Sequence, residues 1–354
     1  MDIGGVDVTD LEAAVKLLGG DTNKVIYDDV GLPSIMVYFP KKTINEVYKS
    51  LTATSACPAF IVNGNEVNGF YISKYQNVVI NGRAYSLPLQ TPKSNLTYDE
   101  AITYSSNKGK GWHLYTNIER AYIAELCNTN GFIPGGNSKN GSNGLKNYEK
   151  AVPATYNNDG SIYAVLTGSG PKSWAHNNTA SGVWDLVGNL SELVAGLRFV
   201  NGEIQVIADN DAANSDVSLA STSLNWKAIN STGLVEPGTK DTYKYDYIDS
   251  KITLNTTITN LTDSFISGYY KDVKIADGLV IPNIVYMLGL MPLKNVTYTY
   301  NGGFSLFLNK KELLPTAGGN FVRGSKAGIN ELYCNYDRTI SGPGEGFRAC
   351  YVDL

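Results

Sequence analysis

Two histidines, four cysteines and scattered carboxylates are the side chains of this 354-residue sequence equipped for covalent, acid–base or metal chemistry. Their spacing gives that chemistry little support. His113 sits between Trp112 and Leu114, just ahead of a helical pattern, where a hydrogen-bonded structural imidazole fits better than a general base. His176, in SWAHNNTASG, has no partner at metal or triad spacing, so neither Ser-His-Asp nor His-metal catalysis is expected. Cys57, Cys127, Cys334 and Cys350 match no zinc pattern; Cys334 and Cys350 either pair or stay free, and spacing leaves both open. Asp209 and Asp211 lack a twelve-residue calcium loop and read as solvated loop acids. No glycine-rich segment carries a P-loop Lys-Ser/Thr or the strand–GxGxxG–helix context. The expectation is a chain with no catalytic residue, no metal and no cofactor.

Binding chemistry is better represented. The sequence holds 24 tyrosines among abundant Asn, Ser, Thr and Gly. Tyrosine offers a large contact area at low entropic cost, which suits adaptable binding surfaces, although the same residues also populate strands and turns. The least regular chemistry lies between Gly318 and Cys350, in GGNFVRGSKAGINELYCNYDRTISGPGEGFRAC, where firm glycine-containing ends enclose a mixture without a period. A net charge of -4 and the absence of a long basic run exclude a nucleic-acid groove. Hydrophobic residues make up 43% and charged residues 18%, enough for a sizeable core and against disorder. No signal peptide is read at the start, and no apolar stretch approaches the roughly 18 residues of a membrane span. Asn-x-Ser/Thr triplets, as at Asn95, Asn255 and Asn260, are best accounted for by chance in so Asn- and Thr-rich a chain.

The elements that must position these residues follow from local signals. Asp10 to Leu18 reads as a short helix ended by Gly19-Gly20, and GLPSIMVYFPKK as a β run. Residues 58–88 read as short strands separated by Asn-Gly hairpin turns. Thr97-x-x-Glu100 and Thr116-x-x-Glu119 are capping boxes that open two helices, the second with an apolar stripe at Ile118, Ala121, Ile123 and Leu126. Beyond Asn128 loops dominate, and β-like runs alternate with polar loops from about 200 to 307. The expected organisation is a small N-terminal unit (1–54) and a loop-rich α+β domain (55–354). That domain carries an inserted β-rich region (about 200–307) and an irregular C-terminal region (about 318–350).

GWHLYTNIERAYIAEL, GVWDLVGNLSELVAG and GEGFRAC, in this order over about 240 residues, resemble motifs of the C-type lectin fold of the formylglycine-generating-enzyme type. Enzymes of that family work through paired cysteines before the closing Gly-Phe-Arg. Here Cys334 stands alone before Gly346-Phe347-Arg348, so the resemblance implies the fold without the oxidase chemistry. PSIMVYFPK, residues 58–88 and the C-terminal stretch are also similar to the variable proteins of diversity-generating retroelements, phage tropism determinants among them. The shared frame is Gly318-Gly319-x-Phe321, Ala327-Gly328-Ile329, Leu332, Arg338-Thr339 and Gly346-Phe347-Arg348; Phe321, Cys334 and Thr339 depart from the pattern.

This second resemblance implies that Val322, Arg323, Ser325, Asn330, Tyr333, Asn335, Tyr336, Ile340, Gly342 and Gly344 are diversified ligand-binding positions. On that reading Tyr333 and Tyr336 are aromatic anchors, Tyr333 and Asn335 share one face of a strand, and Arg323 and Lys326 steer charge. Trp184, Leu186, Leu332 and Phe347 are expected in the core, with Asn189, Glu192 and Arg348 bonding buried backbone beneath the site. The partner it implies is a protein or glycan receptor on a cell surface, and the chain would sit on a virion or cell surface, as a homo-oligomer or beside virion subunits. The competing reading is an ordinary strand-and-loop terminus whose tyrosines pack locally. A formylglycine-generating-enzyme-like oxidase and a fixed structural virion protein are the further alternatives.

Overall fold

The computed structural model describes every residue except Met1, Gly4, Gly5, 260–264, Asn295, Thr297, Thr299, Tyr300 and Asn301, so the Asn260 triplet lies outside the described residues. The architecture is α+β and loop-rich, with more strand than helix. Three larger sheets surround one long buried helix.

The first sheet runs Trp112–Leu114, Ala349–Tyr351, Gly69–Ser73, Pro33–Pro40, Asn23–Tyr27, antiparallel throughout. It takes strands from both sides of the boundary expected at 54. Pro33–Pro40 is apolar on both faces and buried on both, so it needs neighbours on each side and sits inside the sheet, not in a separate unit. Tyr48 closes the same seam, donating its hydroxyl to Met287 O at 3.1 Å.

The second sheet runs Phe265–Tyr269, Gly303–Phe307, Gly328–Tyr336, Leu314–Gly318, Ser191–Leu193, Glu345–Gly346. The third holds seven strands between Leu197 and Ile275. The region expected as an insertion at 200–307 is therefore divided. Most of it builds the third sheet, whereas Phe265–Tyr269 and Gly303–Phe307 join the second because Phe304 and Leu306 bury completely against the Gly328–Tyr336 strand.

Both capping boxes form. The backbone N–H of Thr97 donates to Glu100 Oε2 at 2.7 Å, and that of Thr116 to Glu119 Oε2 at 3.0 Å. The helix Asn117–Asn130 is buried on nearly every face, charged residues included, rather than along a single stripe. It ends at Gly131, whose φ of 69° gives the left-handed cap that glycine adopts without strain. Asn63-Gly64 and Asn81-Gly82 turn the expected hairpins with positive φ at both residues. No helix among the described residues is long and apolar enough to cross a membrane.

Candidate functional site

The C-terminal stretch forms the centre and one flank of the second sheet. Along Gly328–Tyr336 the alternation of a strand turns Leu332 and Cys334 into the core, both with no exposure, and sends Tyr333 outward. Against the neighbouring strand, Leu314 pairs with Tyr336 but Thr316 pairs with Tyr333, so three steps on one strand oppose two on the other. That extra residue is a β-bulge. Strict alternation would turn Tyr336 inward with Cys334; the bulge returns it to the outer face, where its ring lies 5.7 Å from that of Tyr333. Asn335 Nδ2 donates to the Tyr333 hydroxyl at 3.1 Å, which adds an amide to the same patch.

Neighbouring strands complete the surface. Phe265 packs its ring 5.4 Å from Tyr333 and 5.3 Å from Phe307. The Arg323 guanidinium lies 4.5 Å over the Tyr333 ring and pairs with Glu331 at 2.6 Å. Burial pushes the Glu331 carboxyl up to about 7 against the opposing pull of Arg323. Lys326 donates to Ser267 Oγ at 2.7 Å. Arg323 and Lys326, read from sequence as steering charges, are thus engaged within the protein. Tyr336 donates to Glu345 Oε1 at 2.6 Å.

The loop ahead of the strand is held from both sides at Phe321. Its N–H donates to Asn189 O at 3.1 Å, its carbonyl accepts from Asn140 N–H at 2.8 Å, and its ring packs 4.5 Å from Tyr163. Beyond this clamp Val322 is 61% exposed, and Ser325 and Ile340 are exposed as well. Gly342 is half-buried.

Two of the ten positions named from sequence are buried. Asn330 is buried and exchanges side-chain amide bonds with Asn128, both at 3.2 Å. Gly344 is buried beside Asn320, and a Cβ there would strike the Asn320 amide. Its carbonyl accepts from Ser191 N–H at 2.8 Å.

Beneath the site, Arg348 and Glu192 form a fully buried bidentate pair at 2.8 and 2.6 Å. The remaining Arg348 donors reach Ser73 O at 2.7 Å and Trp184 O at 2.9 Å. Glu192 accepts from Gln76 as well, so its partners are side chains and not backbone. Asn189 adopts φ 62° and bonds both backbone groups of Val165 through its amide. Trp184, Leu186 and Phe347 are buried.

The cysteines are free and buried, so Cys334 and Cys350 do not pair; one belongs to the second sheet and the other to the first. Burial pushes both thiols well above their ordinary range. His113 is buried, with Nδ1 2.9 Å from Gly111 O and Nε2 2.9 Å from Glu119 Oε1. Its cross-strand neighbour is Cys350, and the ligating atoms of His113, Glu119 and Cys350 fall within 4.8 Å of one another. Glu119 already caps the helix and accepts from Asn210, so this cluster reads as a hydrogen-bonded helix start. His176 accepts from Val183 N–H, and burial lowers its imidazole to about 4.

A groove of about 800 Å³ opens beside the end of the site strand. Asn335 and Thr339 line it together with Phe307, Lys310, Lys311 and Arg198. Sequence reading missed Phe265, Phe307, Arg198 and the two lysines, because only the pairing of distant segments brings them to the C-terminal strand.

No family model matches the chain, and no curated protein matches it in sequence. Among solved structures it is similar to PvdO from Pseudomonas aeruginosa, at 14% identity and a TM-score of 0.32, over 93% of this chain and 98% of that one. It is also similar to Treponema denticola variable protein 1, at 11% identity and a TM-score of 0.33, over 94% of this chain and 99% of that one.

Proposed function

We propose that this chain is a non-catalytic ligand-binding protein of the C-type-lectin type, displaying a diversified site on its C-terminal strand and flanking loops and serving receptor recognition on a phage particle or cell surface. The observation that carries the reading is the outer face of Gly328–Tyr336. There the bulge gathers Tyr333, Asn335 and Tyr336 into one half-exposed patch over a strand whose inner residues are completely buried. Such a strand tolerates change outward while its core side holds the fold. Aromatic rings with an adjoining amide are also the chemistry of binding hot spots. The oxidase alternative needs an accessible thiolate, and the burial of every cysteine weighs against it.

The test is on DNA. The locus around the gene is read, and the codons for residues 318–350 are sequenced in many clones. The expected result is a near-copy of that coding stretch, with clones differing chiefly where the copy carries adenine and at codons such as those of Val322, Tyr333, Asn335 and Tyr336. Absence of a copy, with every clone identical at these codons, sinks the diversified site and leaves a fixed binding or structural protein.

A further inference from the structure

We infer that the groove beside the site strand is a fixed subsite for a carboxylate-bearing segment of a protein partner. The inference deepens the binding function proposed above and rests on it for the groove's use, not for its chemistry. Four cations (Arg198, Lys310, Lys311, Arg338) and two acids (Glu312, Asp337) line the groove, a local balance of +2 in a chain whose net charge is -4.

The internal pairing decides which of those charges remain to meet a ligand. Arg338 is fully committed, to Glu312, to Asp99 at 2.8 Å and to Leu219 O at 3.1 Å. Asp337 is turned onto its own loop, accepting from the Thr339 N–H and hydroxyl. Arg198 is 6% exposed and stacks 4.3 Å over Trp226. Its Nε donates to Gln205 and its Nη1 to Ser221 O and Glu312, while among the described residues no acceptor meets its Nη2. Lys310 and Lys311 are exposed, and neither is paired with an acid among the described residues. A held guanidinium with a spare donor, sharing one groove with two unneutralised ammonium groups, is a site for an anion.

The walls select the kind of anion. Phe307, Leu313 and Val200 add apolar surface to the same lining, with the Lys310 ammonium 5.2 Å from the centre of the Phe307 ring. Asn201, Ser221, Thr222 and Thr339 add hydrogen-bonding groups to the lining, so a carboxylate-bearing glycan is the competitor in the test. A peptide fits both features, with an aliphatic or aromatic side chain against Phe307 and an Asp or Glu carboxylate reaching Arg198 and the lysines. The site strand contributes Asn335 to the same groove, so a residue within the proposed diversified stretch would read the partner next to a charge contact that does not vary.

The test uses the full chain and fluorescence anisotropy with a labelled octapeptide alternating Glu and Leu. The comparisons are the same peptide with Gln for Glu, and a hyaluronan oligosaccharide as a carboxylate-bearing glycan. Expected are binding by the Glu peptide, at least about tenfold weaker binding by the Gln peptide, and weakening as salt rises. The Lys310→Glu/Lys311→Glu variant should lose about tenfold or more while its circular dichroism is unchanged, since both side chains are exposed. Equal binding of the Glu and Gln peptides, no binding near 1 mM, or preference for hyaluronan overturns the proposal. Because both lysines lie outside residues 318–350, this result is independent of clone sequencing. Invariant clones with peptide binding remove only the diversification, and varied clones without it remove only the subsite.

Discussion

Tyr333 and Tyr336 stand 5.7 Å apart, ring to ring, on one face of a strand in which alternation alone would set them on opposite faces. The bulge between them is therefore part of the binding surface, since it turns one outward aromatic into two. Deleting Asn335 removes the extra residue, and plain alternation then leaves Tyr336 two positions from Tyr333 on the same face. Both tyrosines should therefore stay reactive in tyrosine-selective surface labelling. Loss of Tyr336 from the labelled set would show that Asn335 is not the residue that makes the bulge.

Arg348→Ala should be far more damaging than any change on the outer face. It leaves the buried Glu192 carboxyl without its bidentate partner, at a cost of about 3–5 kcal/mol. Denaturant unfolding checks this, and a loss under about 1 kcal/mol would mean that water replaces the guanidinium.

Outer-face positions should divide by burial. Val322→Asn is expected within about 0.5 kcal/mol of the parent, whereas Gly344→Asn should cost about 1–3 kcal/mol because its Cβ meets the Asn320 amide. The same unfolding series measures both. Equal tolerance at the two positions would contradict the packing at Gly344.

Glu331 makes a pH-dependent prediction. Its carboxyl is raised in the folded chain to about 7 by burial, so between roughly pH 4.5 and 7 the folded state holds a proton that the unfolded state has lost. Stability from this group is therefore full at the low end and falls as pH rises through 7. Glu331→Gln removes that loss. Relative to the parent, the variant should gain on the order of 2 kcal/mol between pH 5 and pH 8, measured by urea unfolding at each pH. An unchanged difference would mean that Arg323 keeps the carboxylate ionised throughout.

The cysteines predict a thiol count. Native protein should react slowly with a thiol reagent because all four side chains are buried, and denaturant without reductant should release four free thiols. Two thiols on unfolding would reveal a disulfide.

Legibility from sequence followed the range of the interactions. The capping boxes at Thr97 and Thr116 and the turns at Asn63-Gly64 and Asn81-Gly82 depend on contacts within a few residues, and they form where the sequence places them. The bulge at Asn335 depends on the register of Leu314–Gly318, and nothing in the Gly328–Tyr336 letters specifies it. The motif frame aligns Asn330 with the ligand-binding positions without saying which face it occupies; its partner, Asn128, lies on a distant helix. The N-terminal residues follow the same rule. Pro33–Pro40 announces a strand by composition, but its burial on both sides becomes apparent only once Gly69–Ser73 lies beside it.

The last strand of the first sheet has a consequence for any scheme that rewrites the residues before it. Ala349–Tyr351 is an interior strand, hydrogen-bonded to Trp112–Leu114 on one side and to Gly69–Ser73 on the other. The ribosome reaches it only after translating residues 318–348 in frame. A copying error that shifts the frame or introduces a stop removes the strand and leaves two neighbours with unpaired edges, so the product cannot close its first sheet. Under such a scheme folding would reject frameshifts and truncations upstream before any ligand is met.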